Sequence, residues 1–300
     1  MLFISKLSKS YSTRSGQQIK ALNDVSLQMN TGMFGLLGPN GAGKSSLMRT
    51  LATLQSPDSG TVLFDGENIL HHPKFMRSKL GYLPQDFGVY PGVSAYELMN
   101  YIAKLKGMNK APQRHNQILS LLEQVNLSKH KHNAVNRFSG GMKQRFGIAQ
   151  ALLNDPEILI VDEPTAGLDP EERNRFHNIL AEISSEKLVI LSTHIVEDIS
   201  NLCGEMAILQ NGQVIKHGKP QQLIQEINNK IWTVQATEEQ LIEMGYEVEV
   251  ISQKLSSGVM STHVYSDARP DTQFIPITPD LEDAYFSALK KNALNIQSIS

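Results

Sequence analysis

Gly35-Leu36-Leu37-Gly38-Pro39-Asn40-Gly41-Ala42-Gly43-Lys44-Ser45-Ser46 breaks from a short apolar run into three glycines within six residues and ends on Lys-Ser-Ser. The pattern is G-x-x-x-x-G-K-S, with a strand-like run before it and a helix-like run, from Lys44 to about Leu54, after it. Such a stretch makes a phosphate cradle. Glycines at 38, 41 and 43 let the backbone curl with its N–H groups pointing inward, and Pro39, Asn40, Ala42 and Ser46 complete the loop. The helix N-terminus adds free N–H donors and the positive end of its dipole. Lys44 reaches terminal phosphates, and the Ser45 hydroxyl is of the kind that ligates Mg²⁺. The cradle calls for a nucleoside triphosphate but does not say what the energy is used for.

Composition bounds the answer. The chain has 300 residues, 40% hydrophobic and 19% charged, which is enough for one large domain and a small one. With 28 basic against 30 acidic residues there is no basic field to mark nucleic acid as the partner. The start, Met1-Leu2-Phe3-Ile4-Ser5-Lys6, has too few apolar residues for a signal peptide, and no stretch approaches the ~18 of a membrane span. A soluble chain is expected. The single cysteine, Cys203, stands in an apolar context and reads as a reduced thiol filling core space.

Taken in order, residues 2–7 and 19–29 read as strands with Tyr11 in the loop between them, either a base-stacking aromatic or a strand-end tyrosine. Residues 60–64 and 80–85 read as further strands, the second ending at Gln85. From about 86 to 154 the chain turns helical. Ser94 and Glu97 form a capping box, and a second helix starts near Pro112. A third opens at Ser139-Gly140-Gly141, where two glycines in a first turn ask for a reason such as close approach to an anion. Lys143 and Arg145 on that helix read as a solvated face.

Ile158-Leu159-Ile160-Val161-Asp162-Glu163 is apolar without alternation and then doubly acidic, the pattern of a buried parallel strand. At the carboxyl edge of a parallel sheet Asp162 is placed to hold Mg²⁺ and Glu163 to face a water attacking the γ-phosphate. A helix over 170–184 and a second buried strand, Leu188-Val189-Ile190-Leu191, lead to His194, placed to donate to the γ-phosphate. His71-His72 and His130-Lys131-His132 lie in polar segments without metal-ligand spacing.

These elements together resemble one family, the ABC ATPases. Residues 38–45, Gln85, Phe138-Ser139-Gly140-Gly141-Met142, the run to Asp162-Glu163, Gly167-Leu168-Asp169 and His194 are similar to its Walker A, Q-loop, signature, Walker B, D-loop and H-loop, in the family's order. The signature departs from the commonest Leu-Ser-Gly-Gly-Gln at its two ends. The resemblance covers residues 1–225. It implies an α/β P-loop NTPase with a mainly parallel core sheet, an N-terminal antiparallel β subdomain and a helical signature subdomain over 86–154. It also implies Tyr11 stacked on adenine, Mg²⁺ among Ser45, Gln85 and Asp162, and Glu163, His194 and Gln85 as the catalytic set. The cradle, Ser139, Gly140, Gly141 and Asp169 would hold ATP in a head-to-tail dimer with a second copy or a homologous ATPase subunit. A separate transmembrane permease, met through the surface near Gln85, would hold the chain on the cytoplasmic face.

Residues 226–300 read as a small α/β appendage with strands at 231–234, 246–251 and 259–266, a helix at 238–244 and a turn at Ser256-Ser257-Gly258. A final helix is expected with Thr278 at N-cap and Pro279 at N1. The segment Thr278-Pro279-Asp280-Leu281-Glu282-Asp283-Ala284-Tyr285-Phe286 resembles the tails of ABC ATPases serving exporters of drugs and polysaccharides, which favours export. The alternative is an ABC ATPase that drives or regulates a membrane complex without moving cargo.

Overall fold

In the computed structural model, which describes residues 1–13, 16–256 and 258–297, the chain divides into two units. The first comprises Met1–Gly204 with Leu209–Val214, and the second Glu205–Ile208 with Ile215–Ser300.

The first unit opens with β1 (Leu2–Ser12) and β2 (Gln18–Met29), an antiparallel pair. Its next elements are β3 (Gly32–Leu37), α1 (Lys44–Leu51), β4 (Ser59–Phe64), β5 (Glu67–Asn68), α2 (Pro73–Lys79) and β6 (Leu80–Leu83). The helices α3 (Ala95–Leu105), α4 (Ala111–Gln124) and α5 (Gly140–Ala151) follow. The chain then returns through β7 (Ile158–Asp162), α6 (Pro170–Ser184), β8 (Leu188–Thr193) and α7 (Val196–Leu202). β9 (Glu205–Gln210) and β10 (Gln213–Gly218) are divided between the units.

Two sheets organise this unit. The first is antiparallel, in the order β2-β1-β4-β5. The other contains β3, β8, β7 and β6 side by side and parallel. Every residue of β7 and β8 is buried, as their unalternating apolar runs require of strands covered on both faces. Each such fully buried Ile or Leu contributes about 1.5–3 kcal/mol of transfer free energy. Parallel register then does the positioning. Leu37 stands beside Thr193, Asp162 beside Ser192, and Leu83 beside Val161, so all four strands end at one edge. Whatever follows them in sequence emerges together.

Several boundaries differ from the sequence reading for physical reasons. α1 ends at Leu51, because Ala52 closes it with an N–H bond to Met48 O and Thr53 turns to a φ of 57°. β6 ends at Leu83, before Pro84, which has no N–H to give a ladder. β1 is longer than expected and runs to Ser12, so Tyr11, paired with Ile19 of β2, lies at the strand's end, as one of its two readings had it, and not in a loop. Arg145 is buried and not solvated: its guanidinium donates to Val125 O at 2.9 Å and pairs with Glu172 of α6 at 3.2 Å. Lys106 donates to Ala151 O and Leu153 O, satisfying two carbonyls at the end of α5, and burial pushes its amine down to about 8. The capping box is present, with Glu97 N donating to Ser94 Oγ and Ser94 N to Glu97 Oε2. Cys203 is buried.

The second unit continues with α8 (Pro220–Glu226), β11 (Ile231–Val234), α9 (Glu238–Glu243), β12 (Glu249–Ser256), β13 (Val259–Tyr265), β14 (Ile275–Pro276) and α10 (Leu281–Gln297). Its sheet is antiparallel in the order β12-β13-β11-β14, over a core of Val234, Leu241, Val250, Val264 and Phe274. The strand expected at 246–251 starts later, at Glu249. Tyr246 and Val248 pack instead on that core, Tyr246 edge-on to Phe274 at 5.3 Å. The turn expected around Ser257 lies outside the described residues. The last helix is capped by Asp280 and not Thr278. Asp280 Oδ1 accepts from Asp283 N while Asp283 Oδ2 accepts from Asp280 N, a reciprocal cap that leaves Pro279 outside the helix.

Candidate functional site

The loop after β3 curls back into α1, and its geometry depends on glycine at two points. Gly41 and Gly43 have φ of 81° and 105°, the left-handed region, and a Cβ on Gly43 would stand 2.2 Å from Ala21 O. The loop walls a cavity of about 390 Å³, completed by Tyr11, Ala21, Gln85, Glu163 and His194. Four separate strand ends and the β1 edge thus meet at one place. Lys44 is 5% exposed, and its ammonium donates to Gly38 O at 2.7 Å and Pro39 O at 3.2 Å.

Glu163 is the hinge of the site. It is 7% exposed and holds φ at 49°, a conformation that costs a residue with a Cβ about 1–2 kcal/mol. Its N–H donates to Ser192 O at 2.8 Å, which ties the turn after β7 to β8. The carboxylate has a partner at each oxygen: Lys44 Nζ at 3.4 Å from Oε1 and His194 Nδ1 at 2.7 Å from Oε2. His194 Nε2 is the ring nitrogen that this bond does not use. A strained acid held between a lysine and a histidine, facing a phosphate-sized cradle, is an arrangement for aligning a water against a phosphoryl group.

Asp162 lies at the end of β7, 4% exposed, and burial raises its carboxyl above the ordinary carboxylate range. Its Oδ1 and the neighbouring Ser192 Oγ are buried without hydrogen-bond partners. An orphaned buried carboxylate oxygen beside the cradle fits a hard cation, with Ser45 and Gln85 as the further oxygen donors. Among the described residues no three His, Cys, Asp or Glu side chains cluster as a metal site. A carboxylate with a hydroxyl and an amide oxygen suits a cation that also binds phosphate oxygens and water.

Tyr11 brings its ring to the cavity wall through bonds that sequence reading missed. Its hydroxyl donates to Gln55 Oε1 at 2.7 Å, and Gln55 Nε2 donates to Ser46 O and Thr50 Oγ1, both at 2.9 Å. Gln55 thus clamps the aromatic to α1. Nothing in the local pattern around Gln55 marks that role. Ala21, which lines the cavity, likewise carries no sequence signal.

Seven of the sequence-predicted residues do not line the cavity: Gly38, Pro39 and Asp162 directly precede residues that do or lie within two positions of them, whereas Ser139, Gly140, Gly141 and Asp169 are remote in sequence from all of them. Ser139 caps α5, its Oγ accepting from Met142 N at 3.2 Å, with Gly140 and Gly141 in the first turn. Asp169 caps α6 by accepting from Glu172 N at 2.8 Å. Neither helix N-terminus contributes to the cavity lining.

Comparison with known proteins agrees with this geometry. The model of the ABC transporter family matches residues 22–166. YxlF of Bacillus subtilis (strain 168), described as an uncharacterized ABC transporter ATP-binding protein, is 34% identical over 96% of this chain and 99% of its own length. Nod factor export ATP-binding protein I of Paraburkholderia xenovorans (strain LB400) is 31% identical over 93% of this chain and 94% of its own. Methionine import ATP-binding protein MetN 1 of Enterococcus faecalis (strain ATCC 700802 / V583) is 37% identical, over 67% of this chain and 58% of its own. Among solved structures, the dimeric post-hydrolysis state of the ATP-binding cassette MJ0796 bound to ADP and Pi superposes with a TM-score of 0.66. It is 26% identical over 73% of this chain and 98% of that one. With cradle, acid and histidine assembled at one sheet edge and a relative aligned end to end, the chain belongs to the ABC transporter ATP-binding proteins and is an ATPase.

Proposed function

We propose that this chain powers a membrane exporter by binding ATP between two head-to-tail copies, or between itself and a homologous subunit, and hydrolysing it. The observation that carries the reading is Glu163, buried in the phosphate cavity with His194 at one oxygen and Lys44 at the other. In this reading Tyr11 stacks on the adenine, and residues 38–46 with Lys44 hold the phosphates. Glu163 orients or deprotonates the attacking water, and His194 donates to the γ-phosphate. Mg²⁺, held by Ser45, Asp162 and Gln85, would neutralise charge on the β- and γ-phosphates. Ser139, Gly140, Gly141 and Asp169 of the partner copy close over the nucleotide, which suits their absence from the cavity of a single chain. ATP then joins the subunits, and its hydrolysis releases them.

Among the described residues no helix is long and apolar enough to cross a membrane. In this reading the work passes to a separate permease, met near Gln85 on the cytoplasmic face. Export is favoured by the likeness of residues 278–286 to the tails of exporter ATPases and by a Nod factor export relative that aligns over 93% of the chain. We place the functional division near residue 225, with the ATPase before it and an appendage after it. The test is Glu163→Gln. This variant is expected to bind ATP, to lose turnover by about a hundredfold or more, and to run as a dimer with Mg-ATP but as a monomer without it in size-exclusion chromatography. Turnover near the parent rate would remove Glu163 from the chemistry, and a monomer under both conditions would remove ATP as the joint.

A further inference from the structure

Asp198, on α7, is fully buried, yet no step of ATP hydrolysis described above uses it. Four side chains from separate parts of the first unit converge on its carboxylate. Thr165 Oγ1 donates to Oδ2 at 2.5 Å and Thr193 Oγ1 to the same oxygen at 3.3 Å. Arg173 Nε donates to Oδ1 at 2.8 Å, and His177 Nε2 stands 2.9 Å from that oxygen. Their places in the chain are the point. Thr165 is two residues past Glu163. Thr193 directly precedes His194, and its Oγ1 also accepts from Ile195 N at 3.0 Å, so it fixes the backbone on both sides of the histidine. Arg173 and His177 lie on α6, whose N-cap is Asp169.

The segment from Glu163 to Asp169 is therefore tethered to one carboxylate near its start and just beyond its end. Glu163 needs such tethers. Its left-handed φ of 49° persists only where the surroundings over-determine it. The N–H bond to Ser192 O holds the residue from the strand side, and Thr165 holds it from the loop side. A carboxylate suits the junction because it offers four lone-pair sites and accepts from all comers, with no donor of its own to clash. Burial pushes Asp198 up, but the bonds from His177, Thr165 and Arg173 outweigh that and hold it below the ordinary range.

We propose that Asp198 is a positioning residue for ATP hydrolysis: by gathering Thr165, Thr193 and the start of α6 on one buried carboxylate, it sets Glu163 against His194 and sets Asp169 relative to both. This rests on the assignment of Glu163 and His194 to the chemistry. Displacement of a catalytic group by about 1 Å can cost as much as a hundredfold in rate. Loosening the junction therefore acts on turnover, whereas the cradle that binds ATP is built on α1 and keeps its geometry.

The test uses the full-length chain and three variants, Thr165→Val, Thr165→Ser and Asp198→Asn, with kcat, KM, equilibrium ATP binding and thermal midpoint measured for each. Valine keeps the shape of threonine and removes a single donor to Asp198, and serine returns it. Thr165→Val and Asp198→Asn are expected to lower kcat about tenfold or more with the ATP dissociation constant within about twofold of the parent, and Thr165→Ser to recover to within about threefold. A Thr165→Val rate equal to the parent overturns the proposal. So does a Thr165→Ser rate as low as that of valine, or binding and turnover falling together in step with thermal stability. If Asp198→Asn does not fold, the valine and serine pair decides alone. Glu163→Gln run alongside separates the two readings: if that variant is dead and Thr165→Val is unaffected, only the role of Asp198 fails. If Glu163→Gln turns over normally, the assignment beneath it fails.

Discussion

A Cβ on Gly141 would stand 2.2 Å from Glu172 Oε2 and 2.7 Å from its Cγ, while one on Gly140 would meet nothing within 4 Å. Two adjacent glycines thus answer different demands. Gly141 is bare because Glu172 lies across it, held there by Arg145 on α5 and Arg175 on α6. Gly140 faces open space, which leaves room for the close approach of an anion that the proposed function calls for there. Gly140→Ala is expected to leave the thermal midpoint unchanged or slightly higher, since alanine is favoured over glycine in a helix by up to about 1 kcal/mol, and to lower ATPase activity. Gly141→Ala is expected to lower both, because Glu172 must leave a partly buried ion pair, at about 1–3 kcal/mol for the group left without its partner. Differential scanning calorimetry with a steady-state ATPase assay separates the two. Equal losses of stability would show that Glu172 yields freely and that both glycines serve the backbone alone.

At the scale of elements, sequence reading succeeded where the signal is contiguous. The run into Asp162 and the helix Pro170–Ser184 were legible because apolar runs, proline and an N-cap aspartate lie next to one another in the chain. So was the cradle, whose glycines and lysine are neighbours. What was not legible joins distant residues. Arg145 and Glu172 are 27 positions apart, and Thr165 and Asp198 are 33 apart. A basic residue on a helix reads as solvated unless the acid waiting across the gap is known. α5 conceals its buried side for the same reason: it packs against α3, α4, α6 and β6, so no single apolar stripe marks an inner face. Tyr11 shows the converse, a polar stretch read as a loop that tertiary pairing with β2 draws into a strand. Junctions such as Asp198 also leave a trace in acid. Its folded-state carboxyl is held below the unfolded value, so its contribution to stability is complete above about pH 4 and is lost as pH falls through the unfolded value toward the folded one. The difference in unfolding free energy between the parent and Asp198→Asn is therefore expected to be constant near neutrality and to shrink below about pH 4. Urea unfolding at a series of pH values measures it, and a gap independent of pH down to 3 would mean that Asp198 is not the acid-sensitive tie.

At the scale of the whole molecule, the phosphate cavity belongs to the first unit, and so do Ser139, Gly140 and Gly141, yet those three do not line it. If each ATP is held by the cradle of one chain and the α5 N-terminus of another, every site has two halves from two chains. Lys44→Ala damages the cradle half, removing a charge-assisted contact worth about 1.5–3 kcal/mol, or at least tenfold in ATP affinity. Ser139→Arg damages the other half by replacing the cap of α5 with a bulky cation. Each variant alone is expected to be nearly inactive, because every site in either homodimer carries one damaged half. In a mixed dimer both lesions fall in one site, and the intact cradle of one chain meets the intact α5 of the other. Mixing the two inactive proteins should therefore restore up to about a quarter of the parent rate per chain, since half of the dimers are mixed under statistical exchange and each has half its sites whole. Coupling between sites suppresses turnover without abolishing ATP-induced association, so both are measured, with subunit exchange established by pull-down of a tagged partner. Exchange without either recovered turnover or ATP-dependent association would mean that the site is not shared between chains, and Ser139 would then be no more than the cap of its own helix.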